Sequence, residues 1–157
     1  MNARQPVYLT AEGAEGLRRE LDRLVNVRRP ALAERLRRAI QQGDLSENAD
    51  YQVAKEEQAF LEGRIQQIEE MLRNAVMIQE DGPTDEVALG SHVTVVEEGA
   101  GESETFHIVG PAEADPVNGK VSNESPLGRS LLGHGVGDTV TVEDPGGEIA
   151  FRITAIQ

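Results

Sequence analysis

The sequence predicts an α+β protein of two domains: an N-terminal antiparallel helical hairpin over residues 1–80, and a small antiparallel β-sheet domain with one short helix over 91–157. Residues 81–90 join them as a linker. Three observations carry that prediction. Apolar residues recur at helical spacing in the first half, the texture turns to short alternating β-branched runs in the second, and charge divides unevenly between the two. Residues 1–80 hold 12 basic and 14 acidic side chains, whereas residues 81–157 hold 3 and 14.

In the first half, Leu17, Leu21 and Leu24 are followed by Leu32, Leu36 and Ile40. The helical spacing runs on past Pro30 with a phase shift, which predicts one long helix bent at the proline. The second run, Tyr51, Ala54, Gln58, Leu61, Ile65, Ile68, Leu72 and Ala75, steps by alternate threes and fours. That is the seam of a coiled coil, interrupted only by Gln58. Between the runs, Gly43 can supply a left-handed helix end and Asp44 to Asn48 a polar turn and restart, so the helices fold back on each other with residues 43–51 at the tip. A reach of roughly 45–50 Å follows from thirty-odd residues at about 1.5 Å each. Arginines on the first helix face glutamates on the second, and solvated helix faces with weak interhelical pairs account for most of them.

The helical pattern ends near Glu80, and Asp81-Gly82-Pro83-Thr84-Asp85 gathers turn residues. Beyond it, strands are predicted over His92–Glu97, Glu104–Val109, Thr139–Glu143 and Glu148–Ile156, with a hairpin turn at Asp144-Pro145-Gly146-Gly147. Ser125 as cap, Pro126 at the first helical position and Gly133 as stop frame one helix over Leu127 to Leu132.

Composition excludes several classes of function. The chain has no cysteine, so neither a disulfide frame nor thiolate metal or redox chemistry is available. A net charge of −13 argues against a free-standing nucleic-acid binder, which gains affinity by neutralising phosphates with Lys and Arg. No run of 18 apolar residues exists and residues 1–10 lack the apolar stretch of a signal peptide, so a soluble cytoplasmic protein is expected. His92, His107 and His134 show no short metal-ligand spacing and receive no chemistry.

The residues that do carry chemistry sit at the tip. Asp44 and Glu47 lie three apart where the hairpin turns. Asp44-Leu45-Ser46-Glu47 fits a capping box, with Asp44 as N-cap of the second helix. The same pair could instead share one hard cation such as Mg²⁺, which takes oxygen ligands and keeps several waters. Two ligands bind such an ion weakly, and Asp50 is the only further acid at the tip.

The stretch Gly43-Asp44-Leu45-Ser46-Glu47-Asn48-Ala49-Asp50-Tyr51 resembles the tip signature of the Gre family of bacterial transcript cleavage factors. The likeness continues through Arg28-Arg29-Pro30, Glu62-Gly63-Arg64-Ile65, Ile108-Val109-Gly110, Ser125-Pro126-Leu127-Gly128-Arg129 and Pro145-Gly146-Gly147-Glu148, so it covers nearly the whole chain. The resemblance implies that Asp44 and Glu47 are the catalytic acids, supported by Gly43, Ser46, Asn48, Asp50 and Tyr51. It further implies that the hairpin enters the secondary channel of bacterial RNA polymerase while an FKBP-like C-terminal domain, within 91–157, grips the rim. There the acids would hold a Mg²⁺ jointly with the polymerase, completing two-metal hydrolysis of backtracked RNA by an enzyme they do not own. The chain is then a monomeric cofactor protein, with no metal of its own.

Family members also contact the RNA 3′ end with basic residues near the tip. Lys55 occupies one matching position and Ile40 another that is basic in some relatives, while Arg37 and Arg38 lie one turn back. This patch is reduced, which points to the branch of the family that carries the smaller one.

Three competing functions follow from the same features. Prolyl isomerisation needs an aromatic pocket, and 81–157 offers only Phe106 and Phe151. A non-catalytic relative would occupy the same channel with a different tip. A plain coiled-coil adaptor would use Asp44 and Glu47 as caps alone.

Overall fold

The structure is a computed structural model that describes residues 5–43, 48–82 and 84–157. It contains the two-domain α+β architecture expected from the sequence, as two compact units: Ala14–Asn74, and Gln5–Gly13 together with Ala75–Gln157.

The first unit is the hairpin. Helix α1 (Ala11–Arg23) passes through a π-helical stretch, Leu24–Arg28, into α2 (Arg29–Ile40), and α3 (Ala49–Arg73) returns along α2. Pro30 explains the π segment: it has no amide to donate, and a widened turn relieves the clash of its ring with the preceding turn. The Arg29 amide accordingly donates to the Leu24 carbonyl, five residues back. Leu32 and Leu36 pack against Ala54, Leu61 and Ile65, with Leu21, Leu24, Val25 and Tyr51 half-buried at the margins.

Two positions depart from the seam predicted from spacing. Ile40 is 52% exposed and the buried residue at that level is Ala39. Leu32 and Leu36 are buried where the spacing puts them, so the departure lies in the last step of the seam, which is three residues, to Ala39, rather than four. Ala75 has left the helix altogether: α3 stops at Arg73 and Ala75–Met77 form a strand, β2. The 25 residues of α3 therefore reach roughly 37 Å rather than the longer span first expected.

Interhelical charge pairs flank the seam. Arg29 meets Glu62 through two hydrogen bonds of 2.8 Å, Arg64 meets Glu20 at 2.9 and 2.8 Å, and Arg35 meets Glu57 at 2.9 Å. The Glu62 carboxylate holds the Arg29 guanidinium above its usual range and is itself held low in return, yet both side chains stand in solvent. Such pairs fix register more than they stabilise.

The second unit is a five-stranded sheet in the order β5-β4-β3-β7-β6. Its strands are β3 (His92–Glu97), β4 (Ser103–Val109), β5 (Lys120–Ser122), β6 (Thr139–Asp144) and β7 (Gly147–Ile156), with the helix α4 (Pro126–Leu131) after β5. All neighbours run antiparallel except β4 and β5. The four strands read from the sequence are these, to within one residue at their ends. Val93, Val95, Ile108, Ile153 and Leu131 form its core, each 1% exposed or less.

Residues at both ends of the hairpin belong to this unit. Strand β1 (Val7–Leu9) pairs in parallel with β2, and Leu9 is fully buried. Part of the 81–90 linker is likewise built in: Val87 is 2% exposed, its amide donates to the His134 carbonyl at 2.8 Å, and its carbonyl accepts from the Gly133 amide at 2.9 Å. A three-residue strand whose partner lies over sixty residues away leaves no periodic trace, and a single buried valine among turn residues leaves none either.

Candidate functional site

The tip is built from the end of α2 and the start of α3. Gln41 closes α2 with helical angles, and Gly43 follows at φ +112°, in the left-handed region that lets a chain leave a helix without a side-chain clash. Helix α3 then opens at Ala49 with Asn48 as its cap, in extended conformation. The Oδ1 of Asn48 accepts from the Tyr51 amide at 3.1 Å. Its Nδ2 donates to the carbonyl of Ala39, the last buried residue of α2, at 2.8 Å.

Asp44, Leu45, Ser46 and Glu47 lie outside the described residues. One alternative for them is nevertheless corrected by what surrounds them. The N-cap of α3 assigned to Asp44 by the capping-box reading is Asn48, four residues later, because the first helical residue is Ala49. Asp50 stands exposed in the first turn of α3, where a negative charge complements the helix dipole. Tyr51 is half-buried against the seam.

The basic residues proposed for RNA contact differ in how free they are. Arg37 is held by Glu34 through two hydrogen bonds, 2.9 and 2.5 Å, and that carboxylate raises its pKa while its own is lowered. Arg38 reaches the same carboxylate only at 4.0 Å and is 66% exposed. Lys55 donates to the Gln58 side chain at 3.1 Å. Arg38 shares a surface groove of about 310 Å³ with Arg35, Ala39, Gln42 and Asp50, whereas Arg37 and Lys55 do not line it. Ile40 presents its apolar side chain to solvent.

In the β unit, the Ser125-Pro126-Leu127-Gly128 segment is tightly knit. Ser125 Oγ accepts from the Gly128 amide at 3.1 Å and donates to the Ser122 carbonyl at 2.7 Å, and a Cβ on Gly128 would overlap that carbonyl. Elsewhere His92 and His107, register partners on β3 and β4, stack with ring centroids 4.0 Å apart, and His107 Nε2 is buried without a partner. Among the described residues no three His, Asp or Glu side chains converge as metal ligands. No described helix is long and apolar enough to cross a membrane.

Comparison with known proteins decides what this hairpin and sheet belong to. The family description "Transcription elongation factor, N-terminal" matches residues 7–77, and "Transcription elongation factor, GreA/GreB, C-term" matches residues 82–157. The chain belongs to the GreA/GreB transcription elongation factor family. Transcription elongation factor GreA of Geobacillus kaustophilus is 53% identical over 150 residues, covering 95% of each chain. GreA of Bacillus subtilis is 50% identical over 155 residues, covering 98% of this chain and 99% of that one. Among solved structures, the GreA factor homolog 1 (Gfh1) protein of Thermus thermophilus is 34% identical over 98% of this chain and 99% of its own, with a TM-score of 0.45. As a member of the GreA family, the chain is a transcription elongation factor.

Sequence reasoning missed two residues of this architecture. The cap and cross-tip bond of Asn48 leave no distinct signal, because Asp, Ser and Asn all cap well and three of them stand within five positions. Glu113 was not singled out at all. Its carboxylate accepts from the amide and hydroxyl of Thr10 at 2.6 and 2.5 Å, a pairing across 103 residues that no local pattern announces.

Proposed function

We propose that the chain inserts its hairpin into the secondary channel of bacterial RNA polymerase and stimulates the polymerase's own cleavage of backtracked RNA. The observation that carries this reading is the tip: Asn48 makes the cap of α3, so the helix start has no need of Asp44. A conspicuous pair of acids at the end of a stiff 25-residue helix is then best explained as cargo.

The pair suits a hard cation in kind, being two carboxylates, and falls short of one in number. Asp44 and Glu47 would hold Mg²⁺ only together with ligands from the polymerase. When so held, the ion supplies Lewis-acid activation of water and charge stabilisation at the scissile phosphate. The chain's own residues deliver and orient: α2 and α3 carry the acids, Asn48 ties the helix ends, and Arg38 is the basic side chain best placed to meet an RNA phosphate. Anchoring falls to residues within 91–157. The protein would act as a cytoplasmic monomer and, on this reading, as an activator of another enzyme's active site.

Adding the chain to a stalled, backtracked polymerase complex with Mg²⁺ should release short 3′ RNA fragments. Asp44→Ala and Glu47→Ala should each lower the rate by about 10²-fold or more, the value of several kcal/mol of lost charge stabilisation. Fragments that appear equally with both variants would remove the acids from the mechanism. Occupancy of the channel without any cleavage by the wild type would favour a non-catalytic inhibitor instead.

A further inference from the structure

We propose that Phe60 and Gly63, on an outer face of α3, form a knob and a notch against which the channel wall of the polymerase packs. This rests on the functional reading above and deepens it, by naming where the hairpin meets its partner. Phe60 is 80% exposed, whereas the other phenylalanines, Phe106 and Phe151, pack against the core of the β unit. It directly precedes Leu61 of the seam and so lies roughly 100° round the helix from it. Val53, nearer the tip and 44% exposed, shares its face.

A lone exposed apolar side chain is ordinary, and what sets this one apart stands beside it. Gly63, three residues on, is its neighbour on the helix surface and is itself exposed. A Cβ at Gly63 would meet nothing within 4 Å, and its φ is not in the left-handed region. Neither space nor conformation within the chain calls for glycine there, yet glycine inside a helix costs stability relative to alanine. The fold gives up helix stability to keep one position bare beside an unsheltered ring. A surface that approaches the α3 backbone closely and takes up the ring accounts for both.

Size and charge identify that surface. A phenylalanine buries at most about 250 Å² and a stable pair of chains about 1,000 Å² or more, so this patch does not hold a partner alone. It suits a partner already gripped elsewhere, as the polymerase is, on the reading above, by residues within 91–157. Glu56, one turn from Phe60, is exposed and has no ion pair among the described residues, so an apolar hollow with a basic rim fits the face. A second copy of the chain fits badly, because it would bring the same acid and a further charge of −13 to the contact.

A fluorophore on the full chain reads its affinity for a backtracked polymerase complex independently of cleavage. Phe60→Gln should weaken binding by about tenfold or more without lowering the urea midpoint, and Phe60→Met, which keeps an apolar side chain, should lose less. Gly63→Ala should raise the urea midpoint and yet weaken binding, a combination that a merely structural glycine would not give. Wild-type affinity in Phe60→Gln or in Gly63→Ala would overturn the proposal. So would a lowered urea midpoint in Phe60→Gln, which would mean that the chain itself shelters the ring. A wild-type dimer on sedimentation that Phe60→Gln abolishes would assign the face to a second copy, and would overturn it too. Should the wild type bind without releasing fragments, it is the cleavage reading that fails, and the same affinities still decide the contact. Should the wild type not bind at all, both fall.

Discussion

Thr10 is 2% exposed and gives both its amide and its hydroxyl to Glu113, while its Oγ1 accepts from the Gly13 amide at 2.9 Å. A Cβ on Gly13 would overlap the Glu113 carboxylate, so a side chain there would push that carboxylate off Thr10. Glu113→Ala leaves two buried donors unpaired, at a cost of about 1–3 kcal/mol. Urea denaturation should show that loss, with Glu113→Gln, which keeps one acceptor, falling between. His107 sets a second residue-scale expectation. Burial lowers its pKa below the ordinary 6.5, followed by the like charge of a protonated His92 and of Lys120, against opposing pulls from Glu80 and Glu113. The unfolded chain therefore binds a proton that the folded one resists, so stability is full above about pH 6.5 and falls as pH drops through the window below it. The thermal midpoint should decline from pH 7 toward pH 5, and His107→Gln should flatten that decline; an unchanged slope in the variant would assign it to the carboxylates. Neither residue was legible in advance. A hydrogen bond across 103 positions and the depth of one histidine in a sheet depend on tertiary packing.

At the scale of elements, the sequence was most informative where a period is long. The hairpin seam and four strands of the sheet follow from spacing and turn residues, since burial of one face imposes period 3.5 or 2 on any sequence that folds this way. What failed was the last step of the α2 seam, three residues from Leu36 to Ala39 rather than four to Ile40, and the short pair β1 and β2, which is too brief to be periodic. A buried and an exposed isoleucine of the hairpin can be told apart by experiment. Ile65, 1% exposed in the seam, should cost about 2–5 kcal/mol on substitution by alanine, followed by helix loss on urea titration. Ile40→Ala should leave the midpoint nearly unchanged. The paired arginines Arg29, Arg35 and Arg64 should matter far less than Ile65, because their partners meet them in solvent.

At the scale of the whole molecule, the division of charge read from composition matches a division of structure, with an acidic sheet unit and a nearly balanced hairpin. The fold and the family were both legible, because the residues that define them run the length of the chain. The candidate site was legible only in part. Asp44 and Glu47 stand out only through the nine-residue tip stretch, while spacing alone favours a capping role that Asn48 fills. The central claim is that the acids act and the rest of the chain holds them in place. It is tested most directly by the Asp44→Ala/Glu47→Ala double variant in a backtracked complex, with cleavage rate measured against wild-type concentration in its presence. The double variant should release no fragments above the polymerase's own background and should compete with the wild type at equal concentration. Residual cleavage near the wild-type rate, or a failure to compete, would contradict the account.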